Sequence, residues 1–422
     1  MKKVGQYLDR GRELAARWIA PGQVTAQWNN LNLYREVAWY GVLSSVTTTF
    51  ASVFALRLGA STLLIGLLTA LPALVNVLFQ IPAARLVERE ADRRRVLLWS
   101  GFWMRLPAFL IALVPILFKQ GQAQAVIYIT ALGTIPAAVG NVSFTALLAD
   151  VVAPQHRARV VSVRNVLLSA ATTTTVLAAG KALDLLPFPF GYQVIFSVAF
   201  LASLVSLFYL GRVAVPAAPA SRQSKVGQDQ PLDVRAYART MLRQRNYVRF
   251  TLGSFIYHWG LYFPLPLYTI YRVRVLQISE GWIGTLSMVE ALITIAGYYV
   301  WGKIAHKRGP HFVLLFGTLL VCIYPFATAL SRSVGPLLLA VSIAGIAGPA
   351  FNLGLFNGLL EAAPTERRAT YVATFNTVIN LAAFASPLLG TIVAEWLGIR
   401  QALFVGGIAR VVGFAAFARL LS

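Results

Sequence analysis

Cysteine and acidic residues are scarce in this sequence of 422 residues. A single cysteine, Cys322, excludes an intrachain disulfide framework and leaves thiol redox chemistry without a partner. Fifteen acidic residues stand against 37 Lys and Arg, and charged residues make up 12% of a chain that is 57% hydrophobic. This apolar surface exceeds what a soluble core can bury. The composition therefore indicates a protein that lies mostly within a lipid bilayer.

The motifs of common enzymes and metal sites are also missing. The sequence contains no paired metal ligands, no sequence motif of a Ser/His/Asp catalytic triad and no glycine-rich phosphate-binding loop. We therefore expect no enzymatic activity, no metal, no cofactor and no ATP-driven step within this chain. Residues 1–35 hold no long apolar run and no small-residue cleavage site, so a removable signal peptide is not expected. Residues 4–19 mix aromatic and apolar residues with arginines, which suits an interfacial helix or a solvated one equally.

Long apolar segments alternate with short charged ones along nearly the whole chain. About twenty helical residues cross the ~30 Å hydrocarbon layer. Twelve such spans are predicted, near residues 37–58, 62–83, 96–118, 124–148, 160–183, 192–210, 250–271, 282–301, 312–330, 334–359, 370–394 and 401–420. The predicted fold is an all-α polytopic membrane protein with a segment at 1–36, six-helix bundles at 37–210 and 250–422, and a polar connector at 211–249.

The distribution of positive charge predicts the orientation of these spans. Of the 37 Lys and Arg residues, 28 fall at the termini and in the loops that follow even-numbered spans. Positive loops are retained in the cytoplasm, so both termini are expected there, in a bacterial inner membrane with an anionic cytoplasmic leaflet. Two arginines, Arg105 and Arg410, fall within spans. The other seven residues are assigned to the opposite side: Arg57, Lys119, Lys181, Arg272, Arg274, Arg332 and Arg400.

Similar local patterns recur about half a chain apart, at corresponding loops of the two groups of six spans. ARLVEREADRRR after span 2 is matched by GKIAHKRGPH after span 8, and ADVVAPQHRARV after span 4 by LEAAPTERRATY after span 10. The charged and glycine residues of these loops are Glu88, Arg89, Arg93, Arg94, Asp150, Arg157, Gly302, Lys307, Gly309, Glu361 and Arg367. Two six-span halves joined by a cytoplasmic connector are typical of transporters with parallel repeats.

In this arrangement the sequence resembles the major facilitator superfamily, whose loop between spans 2 and 3 reads approximately G-x-L-x-D-R-x-G-R-R. Here Ala84 replaces the first glycine and Glu88 the aspartate, while His306 stands at the acid position of the second copy. The resemblance implies a secondary transporter that works by alternating access, with spans 1, 4, 7 and 10 facing the central path. Span 4 lacks the early arginine of proton-linked carriers, and span 5 lacks the Gly-Pro motif of drug antiporters, so a drug/proton antiporter is not indicated.

Ionisable residues within the spans are the first candidates for a functional role. Of fifteen acids, Glu290 is the one that we place near the middle of a span, where a charge costs roughly 3 kcal/mol. It could carry a proton or pair with a cationic substrate, or form a structural hydrogen bond to a neighbouring helix. His258 could share the proton, although a buried, hydrogen-bonded imidazole is the more frequent case. The aromatic residues around it, such as Tyr257 and Tyr262, could stack on an amphipathic solute, but we expect an interfacial belt.

Amides within the spans could line a polar path or bond neighbouring helices, and these are Asn76, Asn141, Asn352, Asn357, Asn376 and Asn380. Arg105 and Arg410 are expected to snorkel or to pair within the scaffold. The basic loops named above are expected to form cytoplasmic gates that pair across the bundles in one conformation, or simply to set the orientation.

The sequence leaves two functions open. The first is a secondary transporter of a small solute. Such a transporter is expected to be a monomer in contact with membrane lipids, and to bind no nucleic acid despite a net charge of +22. The second is a transport-inactive receptor or lipid-handling protein with the same fold.

Overall fold

The structure is a computed structural model that describes residues 21–90, 93–214, 243–364 and 368–421, and these are helical with no strand among them. The first half contains span 1 (Pro21–Arg57), span 2 (Thr62–Arg89), span 3 (Arg93–Trp103 and Leu106–Leu117), span 4 (Gln122–Val151), span 5 (Pro154–Leu185) and span 6 (Phe190–Gly211). The second contains span 7 (Arg245–Tyr262, Leu265–Ile270 and π-helical Tyr271–Val275), span 8 (Glu280–Arg308), span 9 (Pro310–Val321 and Ile323–Leu330), span 10 (Val334–Ala362), span 11 (Arg368–Leu397) and span 12 (Ile399–Leu421).

The number of membrane-crossing segments agrees with the sequence. Within the described ranges, eleven helical segments are long and apolar enough to cross a bilayer. The twelfth is span 7, which is interrupted near its middle. The predicted all-α fold of twelve spans is thus confirmed. We call the side where span 1 begins and span 12 ends the terminal face, and the other side the opposite face.

The first helix is longer than the sequence predicted. It begins at Pro21, so residues 21–36 extend the membrane helix that we placed at 37–58. Polar residues in this stretch resembled a loop, but the bundle provides partners for them: Asn29 exchanges two hydrogen bonds of 2.8 Å with the backbone of Ala214. The interfacial helix suggested for residues 4–19 lies outside the described residues, and so does most of the connector, 215–242.

Prolines interrupt spans 7 and 9, and one buried arginine compensates for both interruptions. Proline has no N–H, so Pro264 and Pro325 leave the carbonyls four residues earlier, those of Gly260 and Val321, without their helical partner. Arg410 of span 12 donates to both, over 3.3 Å from Nε to Gly260 and 2.9 Å from Nη1 to Val321. A third bond of 2.9 Å reaches the Leu261 carbonyl. Arg410 thus joins span 12 to spans 7 and 9.

The apolar core is continuous at one end of the molecule and divided at the other. Near the opposite face, a single cluster contains residues of both halves, such as Phe54 and Phe196 of the first and Leu267 and Leu337 of the second. Near the terminal face, one separate cluster surrounds Leu33 in the first half and others lie within the second half. The two halves are therefore packed together at the opposite face and have independent cores at the terminal face.

Replacing Arg410 with Met should lower the stability of the protein in detergent. The substitution removes the donor for three carbonyls, and a buried polar group left unpaired costs about 1–3 kcal/mol. We expect a loss of about 3 kcal/mol or more, measured as a lower melting temperature. Arg332→Met, at an exposed arginine, is the matched control. Equal melting temperatures for the two variants would contradict this role of Arg410.

Candidate functional site

A polar cavity of about 390 Å³ lies inside the second half, between spans 7, 8, 9, 10 and 12. Its wall combines aromatic side chains with three charged ones, contributed by Tyr262, Tyr268, Arg272, Glu290, Tyr324, Phe351 and Arg410. We call it the Glu290 cavity. Arg410 uses four of its five N–H groups, in the three carbonyl bonds described above and in a 3.2 Å bond to the Tyr268 hydroxyl. The charged groups left to act in this cavity are therefore Arg272 and Glu290.

Arg272 lies in the π-helical segment that ends span 7. Its Nη2 donates to the hydroxyl of Tyr324 over 2.8 Å. Its Nε is buried and has no hydrogen-bond partner within the described part of the protein. A guanidinium N–H without an acceptor is unfavourable, and the Arg272 side chain lines the cavity, so its guanidinium is suited to an acceptor that enters there.

Glu290 lies in span 8, ten residues after the helix begins at Glu280. Its side chain is partly exposed to the cavity, and in the described ranges it makes no hydrogen bond and no ion pair within 4.0 Å. Arg272 is the charged residue that acts on it electrostatically. A cation and an anion thus face one cavity without being paired directly.

A second charged cluster, the Glu36 cluster, is buried in the first half. Glu36 of span 1 forms an ion pair of 2.8 Å with Arg164 of span 5 and lies 4.0 Å from Arg105 of span 3. Ser206 of span 6 donates to Glu36 and accepts from Arg105, over 3.2 and 2.9 Å. Arg105 also donates to the backbone carbonyls of Gly101 and Ser203, at 2.7 and 3.0 Å. Four spans therefore meet at one hydrogen-bonded group.

The Glu36 cluster changes two assignments made from the sequence. Glu36 was placed outside the membrane, and Arg164 was counted with the loop after span 4, whereas both are buried within the bundle. Glu290 is therefore not the only acid deep in a span. Arg105 and Arg410, expected to snorkel or to pair within the scaffold, are both buried inside the bundle: Arg105 lies 4.0 Å from Glu36, and Arg410 bonds backbone carbonyls. A smaller cavity of about 240 Å³ adjoins the cluster and is also lined by Tyr40 and Asn141.

Charged residues connect the halves at the opposite face, in what we call the latch. Arg57, at the end of span 1, forms an ion pair of 2.9 Å with Glu280, the first residue of span 8. Glu280 also accepts a 2.8 Å bond from the hydroxyl of Tyr192 in span 6. Asp184 of span 5 accepts from the Ser279 hydroxyl and the Gly281 N–H, at 3.0 and 3.1 Å.

Two further features close the opposite face. Arg274 of the second half donates to the Ala60 carbonyl and to the Thr62 hydroxyl between spans 1 and 2. Gly284 of span 8 touches span 5 so closely that an added Cβ would lie 2.7 Å from the Val176 carbonyl oxygen. The sequence predicted gates in the loops of the other face, and it gave no indication of this latch beyond the positions of Arg57 and Arg274.

The predicted amides are dispersed over the bundle, and none of the six lines the Glu290 cavity. Asn141 lines the smaller cavity, and Asn352 is 3.4 Å from the Tyr298 hydroxyl of span 8. Asn380 donates to the backbone of Asn376 in its own helix, at 2.9 Å. The remaining two, Asn76 and Asn357, are respectively exposed and half-buried. Among the described residues, interhelical bonding is thus seen for Asn352 alone.

His258 and the aromatic residues around it lie inside the protein. The imidazole is buried, and its Nδ1 is 2.7 Å from the Ser254 carbonyl oxygen one turn earlier. Tyr257 is fully buried and donates to the Thr318 carbonyl over 2.9 Å. Tyr262 lines the Glu290 cavity. The interfacial belt expected for these rings is therefore wrong for Tyr257 and Tyr262, because span 7 passes through the bundle interior.

The loop residues predicted to form gates lie at the terminal face. Span 2 ends with Glu88 and Arg89, and span 3 begins with Arg93 and Arg94. Asp150 and Glu361 lie in the last turns of spans 4 and 10. Gly302 and Lys307 lie in span 8. Arg157 donates to the carbonyls of Ala149 and Val152, which ties the turn between spans 4 and 5. Gly309 joins spans 8 and 9 with φ of +84°, a conformation that favours glycine. Arg367 lies outside the described residues.

Two kinds of comparison place this fold among known proteins. The sequence profile described as Major Facilitator Superfamily matches residues 38–274 and 250–422. A mutant of the nucleoside transporter NupG superimposes with a TM-score of 0.74 at 12% identity, over 93% of this chain and 100% of that one. A bacterial homologue of the human lysosomal transporter Spinster, inward-facing and unoccupied, gives 0.70 at 15% identity, over 96% and 98%.

A POT family transporter in complex with a thioalcohol-conjugated peptide gives a TM-score of 0.69 at 14% identity, covering 95% of this chain and 97% of that chain. No curated protein matches the sequence significantly. At these identities the structural likeness concerns the fold, and the substrates of these transporters are not carried over.

Glu36→Gln should destabilise the first half strongly. The substitution leaves Arg164 and Arg105 buried without their common carboxylate, and breaking a buried ion pair costs about 3–5 kcal/mol. We expect a clearly lower melting temperature in detergent. The exposed acid Glu395, changed to Gln, serves as the control. Adding Arg164→Met to Glu36→Gln should restore part of the lost melting temperature. If the double variant instead loses as much as the two single variants together, the ion pair does not stabilise the protein.

Glu280→Gln should open the opposite face. The substitution removes the charge that holds Arg57 and Tyr192, while the cores of both halves are left intact. A reporter cysteine at Ala60, buried in this structure, in a Cys322→Ser background, should react several times faster with an impermeant maleimide. Lys119→Gln, an exposed change on the same face, should leave the rate unchanged. Equal rates in both variants would mean that the latch does not hold this face closed.

Proposed function

This chain belongs to the Major Facilitator Superfamily, and from that premise we propose that it is a secondary active transporter that moves a small solute across a bacterial inner membrane. The family and fold are those of non-enzymatic transporters. The mechanism that we propose is alternating access, in which the two six-helix halves rock about a site between the faces. Both chain termini are cytoplasmic in this proposal, because the terminal face carries most of the Lys and Arg residues.

One observation carries this proposal: the apolar core is shared by the halves at the opposite face and divided between them at the terminal face. Such packing suits a conformation that is closed on one side and can separate on the other. The latch lies on the closed side, where Arg57 and Glu280 are partly exposed, with 34% and 13% of their side-chain surface accessible. Partly exposed ion pairs contribute about 0–1 kcal/mol, so the Arg57–Glu280 pair by itself opposes separation of the halves only weakly.

The Glu290 cavity supports a role in solute binding or coupling. Among the described residues, its carboxylate has no direct partner and its Arg272 guanidinium is incompletely bonded. Charged groups within a bundle are costly and mark substrate or ion pathways. We propose that Glu290 couples transport to a proton or to the charge of the solute. In the state with the opposite face open, the acidic and basic residues of the terminal-face loops, such as Asp150 and Glu361, would form the complementary gate. Lipids and a small solute are the partners of this proposed monomer.

Saturable, gradient-dependent flux in proteoliposomes tests the proposal and separates a transporter from a receptor with the same fold. Purified full-length protein is reconstituted and supplied with labelled sugars, nucleosides, amino acids and organic acids, with and without an imposed pH gradient. Concentrative uptake or efflux of one class is the expected result. Binding of a solute without any flux would instead favour the receptor, because a transporter has to release what it binds on the other side.

Glu290→Gln should abolish accumulation against a gradient, while exchange of solute across the membrane persists at high solute concentration. The amide keeps the shape of the side chain but can neither release a proton nor carry charge. Uphill flux and solute exchange are measured on the same proteoliposomes, and Glu395→Gln is the control. A variant that still concentrates its solute with the pH dependence of the parent protein would exclude Glu290 as the coupling residue.

A further inference from the structure

We propose that the solute held in the Glu290 cavity is a zwitterion: a small molecule with a carboxylate at one end, an ammonium group at the other and an apolar or aromatic body. This inference rests on the transport function proposed above and specifies its substrate class. It follows from the two charges that face the cavity, Arg272 and Glu290, and from the composition of the wall between them.

Arg272 is the binding group for the carboxylate. The other arginine of the cavity, Arg410, uses its guanidinium for three backbone carbonyls and the Tyr268 hydroxyl. Arg272 has one bond, to Tyr324, and its buried Nε is free of partners among the described residues. The Arg272 side chain also lines the cavity, so a carboxylate bound there can accept from guanidinium N–H groups that Tyr324 does not use. Charge-assisted bonds of this kind are about twice as strong as neutral ones. The positive charge of Arg410 nearby adds to the attraction.

Glu290 is the binding group for the ammonium. Its carboxylate lines the same cavity and has no hydrogen-bond donor among the described residues. A carboxylate inside an apolar bundle requires donors or a compensating charge. The guanidinium that acts on it electrostatically, that of Arg272, makes no direct ion pair with it. An ammonium group between the walls would satisfy Glu290, while the carboxylate of the same molecule satisfies Arg272.

The body of the solute is limited in size and polarity by the remaining wall. Tyr268 and Tyr324 lie against each other with ring centroids 4.4 Å apart, and Tyr262 and Phe351 complete an aromatic surface. Ala344 and Gly348 of span 10 line the same cavity, and a Cβ added at Gly348 would meet no atom within 4 Å. A cavity of about 390 Å³ is at the small end of the range for ligand sites, about 300–1,000 Å³. The fitting solutes are of the size of an amino acid or a dipeptide.

Other solute classes leave one of the two charges without a partner. An uncharged sugar or nucleoside would leave Arg272 and Glu290 with each other's charge at a distance and no ionic group in direct contact. A simple anion would leave the carboxylate of Glu290 without a direct partner. A simple cation would leave Arg272 unpaired beside the positive charge of Arg410. A zwitterion is the class for which both ends gain a partner.

Matched ligand series test this inference on the purified full-length protein. The zwitterions are L-phenylalanine, L-leucine and the dipeptide Gly-Phe. Each is paired with an anion that lacks the free amine, namely 3-phenylpropionate, 4-methylvalerate and N-acetyl-Gly-Phe, and with a cation that lacks the carboxylate, namely phenethylamine, isoamylamine and Gly-Phe amide. Glucose and uridine represent uncharged solutes. Bound solute raises the apparent melting temperature by mass action. We expect at least one zwitterion to stabilise the protein at concentrations at least tenfold below those needed for its two partners.

Two variants assign the ends of the solute. Glu290→Gln should weaken zwitterion binding about tenfold or more while binding of the matched anion is unchanged or improved. Arg272→Gln should weaken the binding of zwitterion and anion alike. If Arg272→Gln does not fold, Arg272→Lys is measured in its place. Glu395→Gln and Lys119→Gln, both exposed and outside the cavity, should leave the ranking unchanged.

The same panel, measured as flux in proteoliposomes, separates the failure of this inference from the failure of transport. Three results would each overturn the inference. Anions could bind as tightly as zwitterions, zwitterion binding could be unchanged in both cavity variants, or no zwitterion could stabilise the protein. In any of these cases, saturable flux of another solute would leave the transport function standing. If the protein binds zwitterions but transports nothing in the panel, the class of the bound solute stands and the transport function fails.

Discussion

A guanidinium or carboxylate buried among apolar helices has to find partners inside the protein, and this constraint organises the whole bundle. The penalty for an isolated buried charge is large, and it decreases when backbone carbonyls or an opposite charge surround the group. Arg410 meets the constraint with carbonyls that prolines have released, and Arg164 meets it with Glu36. In each case the satisfied charge also fixes which helices are neighbours. The helix packing of each half therefore depends on a few polar groups as well as on its apolar surface.

The same constraint distinguishes contacts within a half from contacts between halves. Glu36 and Arg164 have side chains only 5% and 11% exposed, so their pair is broken at high cost and the first half stays rigid. The pair of Arg57 with Glu280 is more exposed, and exposed pairs contribute little. Strong polar interactions inside each half and weaker polar ones between the halves favour movement of the halves as two rigid bodies. The divided apolar core at the terminal face is a consequence of the same arrangement.

Sequence patterns predicted the parts of this structure that depend on hydrophobicity. The number of spans follows from apolar length, which the thickness of the bilayer imposes. The two halves and the family follow from loops repeated at one offset. The patterns did not predict the start of span 1, because Glu36 and the asparagines before it are polar and appear as a loop until the partners on other helices are known. Arg272 was assigned to a loop for the same reason, and its place in the cavity depends on the π-helical segment of span 7.

Long-range pairing also explains why Glu290 was found from the sequence and its surroundings were not. An acid in the middle of an apolar run is visible locally, whereas Arg272, Tyr324 and Arg410 come together only through the packing of spans 7, 9 and 12. Arginine alone does not mark a binding group, since the chain uses Arg105 and Arg410 for structural bonds. What identifies Arg272 is its remaining hydrogen-bonding capacity, and that quantity is defined only in the folded protein.

The two halves differ in how completely their buried charges are satisfied. In the first half, Glu36 is bonded by Arg164 and Ser206 and has Arg105 4.0 Å away, so little capacity remains for a solute. In the second half, Glu290 has no direct partner among the described residues, and Arg272 keeps a buried N–H without an acceptor. A bundle that leaves such groups unsatisfied is less stable when empty than when a complementary molecule is bound. Because binding removes that penalty, the unsatisfied half is the one that gains from contact with a charged solute, and the satisfied half provides the rigid surface against which it moves.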